Sequence, residues 1–428
     1  MIVDRKTAPQ IHDAIEFDYI LPSINKENLN NGLPFYWLNA GVQDVVQIDW
    51  VFPAGLWQEQ KTAVAHTVAA LLKNGTTKYN AEQINEALEF YGAQLKVAAN
   101  NDYGTITLYS LTKHLPALLP IVYEIITDAQ FPEHEVELHK KNAIQKLLIN
   151  LRQCEFVANR HIDALLFGEH HPYGRYTKKE DIEAITRQDL LQFYTAHFNI
   201  ANMQIFMAGK MGSVEVKCMN AIFGNNTIYQ QNFLQRNTFD ISSSNEKAIR
   251  ITNDINGVQG AVRIGRLFPD KQHPDFAPMV VLNTLFGGYF GSRLMSNIRE
   301  DKGYTYGIYS SLVAEKNGGS LVVHTETGRD VAEKAIVEIY KEMELLCNEQ
   351  APDEELLLVK NYLLGGLLGD LDGPFSILRR WRTLILYGFT EEHFNNNINT
   401  YKTVSPEKLL QLAQKYFNKQ DFFEVMVI

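Results

Sequence analysis

Residues 45–52, VVQIDWVF, form a nearly unbroken apolar run that reads as a strand. Apolar positions then recur at helical spacing over residues 61–73 and 81–91, which predicts two helices. Residues 94–98 and 104–111 read as a hairpin turning about Asn100, Asn101 and Asp102. Two further helices are predicted over residues 115–128 and 133–151. Strands and helices mix without strict strand–helix–strand alternation. The expected fold class is therefore α+β, with a mostly antiparallel sheet and helices packed on one face.

The pattern repeats. Residues 185–199, ITRQDLLQFYTAHFN, and residues 404–418, VSPEKLLQLAQKYFN, lie 219 positions apart (404 − 185). Leu190, Leu191, Gln192, Phe198 and Asn199 match Leu409, Leu410, Gln411, Phe417 and Asn418. Each segment opens near a Thr or Ser suited to capping a helix. Strand-like runs follow at residues 203–208 and 422–428. A looser pair, residues 84–95 and 294–306, aligns Gly92 with Gly303. Two homologous domains are expected, residues 1–228 and 229–428, joined by the polar stretch 225–247.

Composition narrows the classes. The chain has 428 residues, too many for one ordinary core. It is 45% hydrophobic and 21% charged, ordinary for a globular protein. A net charge of −10 without a basic block gives nucleic acid no footing as a partner. No apolar run is long enough to span a membrane. The N-terminus lacks a secretory pattern, and Cys154, Cys218 and Cys347 form no CxxC pair. A cytoplasmic location is expected, and Cys154 is expected to be a buried free thiol.

The most informative stretch begins at Phe52-Pro-Ala-Gly-Leu-Trp-Gln-Glu59 and continues through Ala65-His66-Thr-Val-Ala69-Ala70 to Lys73-Asn-Gly75-Thr76. It resembles the pitrilysin/insulinase superfamily (peptidase family M16), especially its bacterial branch similar to the mitochondrial processing peptidase. Further segments follow the same family pattern: His171-Pro-Tyr-Gly174, Gly287-Gly288-Tyr-Phe-Gly-Ser292-Arg293-Leu294, and Ile298-Arg299-Glu300 leading to Gly303 and Tyr306. The resemblance implies a clam-like cavity between the two domains. In the family, the helix carries His-x-x-Glu-His, with both histidines on one face gripping zinc and the Glu activating water. Here His66 keeps the first position, while Ala69 and Ala70 stand for Glu and His. The third ligand, a Glu, is expected within residues 142–150, which read NAIQKLLIN and hold no carboxylate. His66 is thus a vestigial ligand position, expected to be partly buried. No metal site and no cofactor are expected in this chain.

Other candidates take plainer readings. His134 and His139 point apart on a helix, His170-His171 marks a turn, and the glycines from Gly365 to Gly373 break a helix for packing. Gly287, Gly288, Ala99 and Asn101 are candidate substrate contacts, the last two beside a strand edge open to extended peptide. The resemblance gives Arg299 and Tyr306 a catalytic role in trans, as donors near a scissile carbonyl, in place of a solvent Arg and a half-buried Tyr. The expected function is the non-zinc subunit of a heterodimeric peptidase. Its partner would be a zinc-bearing M16 subunit and its substrates peptides, and the isolated chain could pair with itself. The alternative is a catalytically inactive structural or peptide-binding homologue. A third reading, a peptidase with an unrecognised metal site, has no motif behind it.

Overall fold

The computed structural model describes residue 8 and residues 12–225 and 237–428. In the first half the strands are β1 (Asn25–Asn28), β2 (Pro34–Asn39), β3 (Val45–Phe52), β4 (Gln94–Ala99), β5 (Gly104–Leu111) and β6 (Gln204–Gly209). The helices are α1 (Val64–Leu71), α2 (Ala81–Phe90), α3 (Leu115–Thr127), α4 (Glu133–Asn150), α5 (Cys154–Phe167), α6 (Lys179–Glu183), α7 (Arg187–His197) and α8 (Ser213–Phe223). The second half has strands β7 (Ala248–Ile251), β8 (Gln259–Phe268), β9 (Thr305–Glu315), β10 (Gly318–Gly328) and β11 (Phe423–Val427). Its helices are α9 (Phe276–Asn283), α10 (Ala332–Asn348), α11 (Asp353–Asp370), α12 (Pro374–Leu386), α13 (Glu391–Thr403) and α14 (Pro406–Tyr416). The expected α+β class is what forms.

The duplication is visible strand by strand. The first sheet runs β1-β2-β6-β3-β5-β4 and the second β7-β11-β8-β10-β9. Without β1 the two orders coincide. Each has one parallel pair, β2 with β6 and β7 with β11, and is antiparallel elsewhere. Helices α7 and α14 start just after Thr186 and Ser405, whose side chains accept from the backbone of Asp189 and Lys408. Helices α4 and α11 each have 18 residues and follow Pro132 and Pro352. Gly92 and Gly303 both take left-handed φ, 60° and 67°, as their alignment requires. The domain boundary expected at residues 228 and 229 lies outside the described residues.

Each half packs its own helices on one face of its sheet, and the opposite face receives a helix of the other half. Helix α5 lies on β8 and β11 and shares a core with them. In it Val157, Ile162 and Leu166 meet Ala261, Val322 and Val425. Helix α12 lies on β2 and β6, where Leu378, Trp381 and Leu384 meet Leu38, Val51 and Phe206. This exchange is why β3 is buried along nearly its whole length: both its faces are covered. The described part of the connecting stretch also packs on the first half. Trp57 Nε1 donates to the Asn237 carbonyl at 2.9 Å, and Ser243 Oγ to that of Leu166 at 2.7 Å.

The glycine-rich stretch at residues 365–373 breaks the helix as expected, but only at its end: α11 stops at Asp370 and α12 begins at Pro374, after Gly373 at φ 86°. Helix α11 runs through Gly365, Gly366 and Gly369 to Asp370 without a break. A Cβ on Gly366 or Gly369 would meet nothing within 4 Å. Packing therefore does not demand these glycines. Cys154 is also not the buried thiol expected. It sits half-buried at the start of α5, with Sγ 3.6 Å from the Gln259 carbonyl.

Candidate functional site

The segment leading into α1 is anchored before the helix begins. A Cβ on Gly55 would stand 2.4–2.6 Å from backbone atoms of Asp102, Tyr103 and Asn100, so only glycine lets the β4–β5 turn come this close. Leu56 and Trp57 then donate their N–H groups to the Asn100 and Asn101 carbonyls, at 3.0 and 2.8 Å. Glu59, buried, accepts from Ala65 N at 2.7 Å and from Arg175 at 2.6 Å, where Arg175 also holds the Leu56 carbonyl. Burial pushes the Glu59 pKa up to about 7, against the opposing pull of Arg175. Ala63, just before α1, sits at φ 70°, a strained value for a residue with a Cβ.

Helix α1 buries Val64, Ala65, Thr67, Val68, Ala69 and Leu71. His66 and Ala70 lie together on its exposed face, as positions four apart must. His66 is thus exposed where a partly buried ring was expected. The protein mass around it still lowers its pKa and favours the neutral ring. Opposite it stands a methyl group in place of a second imidazole, and Ala69 is 4% exposed. Helix α4 packs beside α1, and its Glu135 holds Asn74 at 2.8 Å. Its residues 142–150 bring Lys, Gln and Asn as polar groups and no carboxylate. Among the described residues no three His, Cys, Asp or Glu side chains converge as a metal site requires. These residues do not fit a zinc ion.

The second half presents Arg299 and Tyr306 on adjoining elements. Arg299 lies in the π-helical turn Met295–Asp301, which packs on β9. Its guanidinium carbon is 4.5 Å from the centre of the Phe290 ring, itself 63% exposed. Two clamps fix the turn and the segment before it. Arg293 binds Glu355 of α11 in a fork at 2.9 and 2.8 Å, and Asn297 reaches Glu338 and Glu342 of α10 at 3.0 and 2.7 Å. Tyr306 sits at a β-bulge, where the register of β9 against β10 slips between Thr325 and Thr327. The bulge leaves it 96% exposed, where a half-buried strand Tyr was the plain expectation.

The remaining sequence candidates divide. Gly287, in the π-helical turn Thr284–Gly288, is buried, and a Cβ there would come within 2.6 Å of Ser310 Oγ on β9. Its role in the fold is this close approach. Gly288 is half-buried at the end of the turn. Ala99 ends β4, an edge strand that packs beside α1. Asn101 donates to Glu315 Oε1 at 2.8 Å and so links the halves. His134 stands out from α4 beside Glu135, at 3.5 Å. His171 is buried against Trp57, Phe167 and Tyr173, in the turn expected.

Sequence reasoning missed the polar contacts between the halves. Asp49 on β3 receives Arg382 from α12, and Asp102, held within its own half by Tyr173 OH at 2.7 Å, accepts across the junction from Lys316 N at 3.1 Å. The one available signal was Asp49 itself, a lone carboxylate inside an apolar strand.

A duplicated α+β shell with helices exchanged between halves, built around a helix that holds a remnant of a zinc motif, is the architecture of a peptidase relative. Residues 38–170 match the family Insulinase (Peptidase family M16), and residues 184–363 match Peptidase M16 inactive domain. The chain belongs to peptidase family M16, as a homologue whose zinc-motif positions are incomplete. It is similar to the uncharacterized zinc protease YmxG of Bacillus subtilis, with 21% identity over 83% of this chain and 86% of that one. A protein of Helicobacter pylori named non-peptidase homolog YmxG is 23% identical over 72% of this chain and 71% of its own length. Among solved structures, a peptidase M16 inactive domain from Pseudomonas fluorescens superposes with a TM-score of 0.83 at 19% identity, covering 95% of this chain and 98% of that one. A protease from Helicobacter pylori gives 0.86 at 15% identity, covering 95% and 100%.

Proposed function

We propose that this chain is the non-zinc subunit of a two-chain M16 peptidase, supplying half of a peptide-binding chamber and the pair Arg299 and Tyr306 in trans. The observation that carries this reading is the contrast between the halves. The helix of the first half has lost the groups that hold zinc and activate water. The second half keeps a guanidinium on a clamped turn and a phenol that is 96% exposed among the described residues. A guanidinium and a phenol O–H are donors suited to the oxygen of a carbonyl under attack. Hydrolysis itself is assigned to a partner carrying His-x-x-Glu-His and zinc. This chain contributes binding and donors and needs no cofactor of its own. The outer edge of β4, unpaired among the described residues and lying beside α1, offers backbone groups for an extended peptide.

The test mixes the purified chain with a zinc-motif relative and follows peptide cleavage. The mixture is expected to exceed the relative alone, and Arg299→Ala to remove about two orders of magnitude of the gain, the scale of one lost oxyanion donor. An unchanged rate in the mixture sinks the proposal. The second reading, a catalytically inactive structural or peptide-binding homologue, draws on the name carried by the Helicobacter pylori relative. Peptide binding by the mixture with no rate gain is its signature.

A further inference from the structure

A cavity of about 380 Å³ lies where the two halves meet, between α5 and the outer strands of the second sheet. Helix α5 packs chiefly on β8 and β11 and reaches β10 through Val322. The side chains of Tyr309 and Ser311 on β9 line the cavity across from Asn159, Ile162 and Asp163 of α5. Glu315 closes one end of the cavity and Asp163 of α5 enters from the first half. These β9 residues alternate with Ile308 and Ser310, which face the opposite side, where Gly287 and the Arg299 turn pack. The cavity is thus separated by the sheet from the chamber side, and the inference does not rest on the proposed peptidase role.

Its charges are incompletely matched. Among the described residues the Asp163 carboxylate has no hydrogen-bond donor and no ion-pair partner, although it lines the cavity. Glu315 accepts from Asn101 at 2.8 Å and also faces the Asp102 carboxylate and the Lys271 ammonium, which lies on its side and not on that of Asp163. The buried guanidinium of Arg263 is spent elsewhere, on Asn159 at 2.6 Å and Glu326 at 2.7 Å. Burial foremost, then the neighbouring Glu315, pushes the Asp163 pKa up to about 7, with Arg263 pulling it down. Burial raises Glu315 as well. A structural carboxylate at a helix–sheet junction ordinarily gains a donor from the protein. This one faces a cavity within the size range of small-ligand sites.

We infer that this cavity binds a primary ammonium group, held between the carboxylates of Asp163 and Glu315. An ammonium has three N–H donors and no acceptor, which suits two carboxylates with free lone pairs. Tyr309, half exposed and stacked on His324 at 4.8 Å, adds an aromatic wall of the kind that attracts cations. A divalent metal fits less well. It seeks six or more oxygens, often with several carboxylates, and here there are two with Arg263 close by. The ammonium group could belong to a free small amine or to a lysine side chain of a peptide.

Calorimetry and thermal unfolding of the full chain test this, with n-butylamine hydrochloride against sodium chloride at matched ionic strength. Saturable binding and a rise in Tm are expected with the amine alone. Binding should tighten roughly tenfold from pH 6 to pH 8, as Asp163 gives up its proton to make room for the cation. Asp163→Asn should abolish binding, and Glu315→Gln should weaken it if Asp163→Asn does not fold. An acetylated, amidated Ala-Lys-Ala peptide that competes with the amine assigns the site to lysine side chains. One that does not compete assigns it to free amines. No saturable response in the wild type, an equal response to sodium chloride, or a response to calcium or magnesium in place of the amine overturns the inference.

Discussion

Arg382, on a helix of the second half, donates to the carboxylate of Asp49, which is wholly buried in the central strand of the first half. Thr107 Oγ1 adds a donor at 2.7 Å and Gln47 Nε2 reaches both carboxylate oxygens at 3.1 Å. This pair pins α12 to the sheet that it covers. Arg382→Ala leaves a buried charge with neutral donors only, so a loss of about 3 kcal/mol is expected, the lower end for breaking such a pair. Denaturant unfolding at neutral pH measures it. A loss under about 1 kcal/mol would mean that Thr107 and Gln47 suffice.

Asp163 gives stability a pH dependence of definite sign. Its folded pKa, about 7, lies above its ordinary value of 3.8. The folded chain therefore keeps a proton that the unfolded chain releases. The stabilisation is complete below about pH 4 and is lost as pH rises through 7. Asn imitates the protonated acid, so Asp163→Asn is expected to gain on the wild type as pH goes from 5 to 8. The gain should be about 1–2 kcal/mol, below the full linkage value because the carboxylate opens onto a cavity. Unfolding curves of both proteins at the two pH values decide it, and a pH-independent difference would contradict it.

Tyr306 separates function from fold. At 96% exposure its ring supports little of this chain, so Tyr306→Ala is expected to change stability by less than about 0.5 kcal/mol. If the pair acts in trans, the same substitution lowers the rate gained by mixing with a zinc-bearing relative. A large loss of stability would instead place Tyr306 in the structure.

Much of the shell was legible from pattern alone. Residues 45–52 and 104–111 are strands over the ranges that their apolar pattern defines, and the repeat at an offset of 219 recovers α7 and α14 and the strands after them. Periodicity shows that a helix has an apolar face but not which sheet receives it. The exchange of α5 and α12 was therefore invisible, and with it the pairing of Asp49 with Arg382 and the meeting of Asp163 with Glu315. These contacts join residues more than 150 positions apart, and no local spacing encodes them. The exposure of Tyr306 was hidden for another reason. It depends on a bulge, and one inserted residue turns a side chain that alternation alone would leave half-buried. The loss of the zinc motif was legible because that chemistry is local, with ligands one helical turn apart.

Two open glycines are expected to respond to alanine with opposite signs. Gly366 lies inside α11, in helical backbone, and a Cβ there meets nothing within 4 Å. Alanine fits this conformation and restricts the unfolded chain, so Gly366→Ala should stabilise by about 0.5–1 kcal/mol. Gly303 has equal space, yet its φ is +67°. A Cβ in left-handed backbone costs about 1 kcal/mol whatever the room, so Gly303→Ala should destabilise. Its counterpart Gly92, at φ +60°, should behave alike. Thermal and denaturant unfolding of the three variants tests the set. A destabilised Gly366→Ala would show that α11 is strained or crowded there, and a neutral Gly303→Ala would show that the turn relaxes to another backbone conformation.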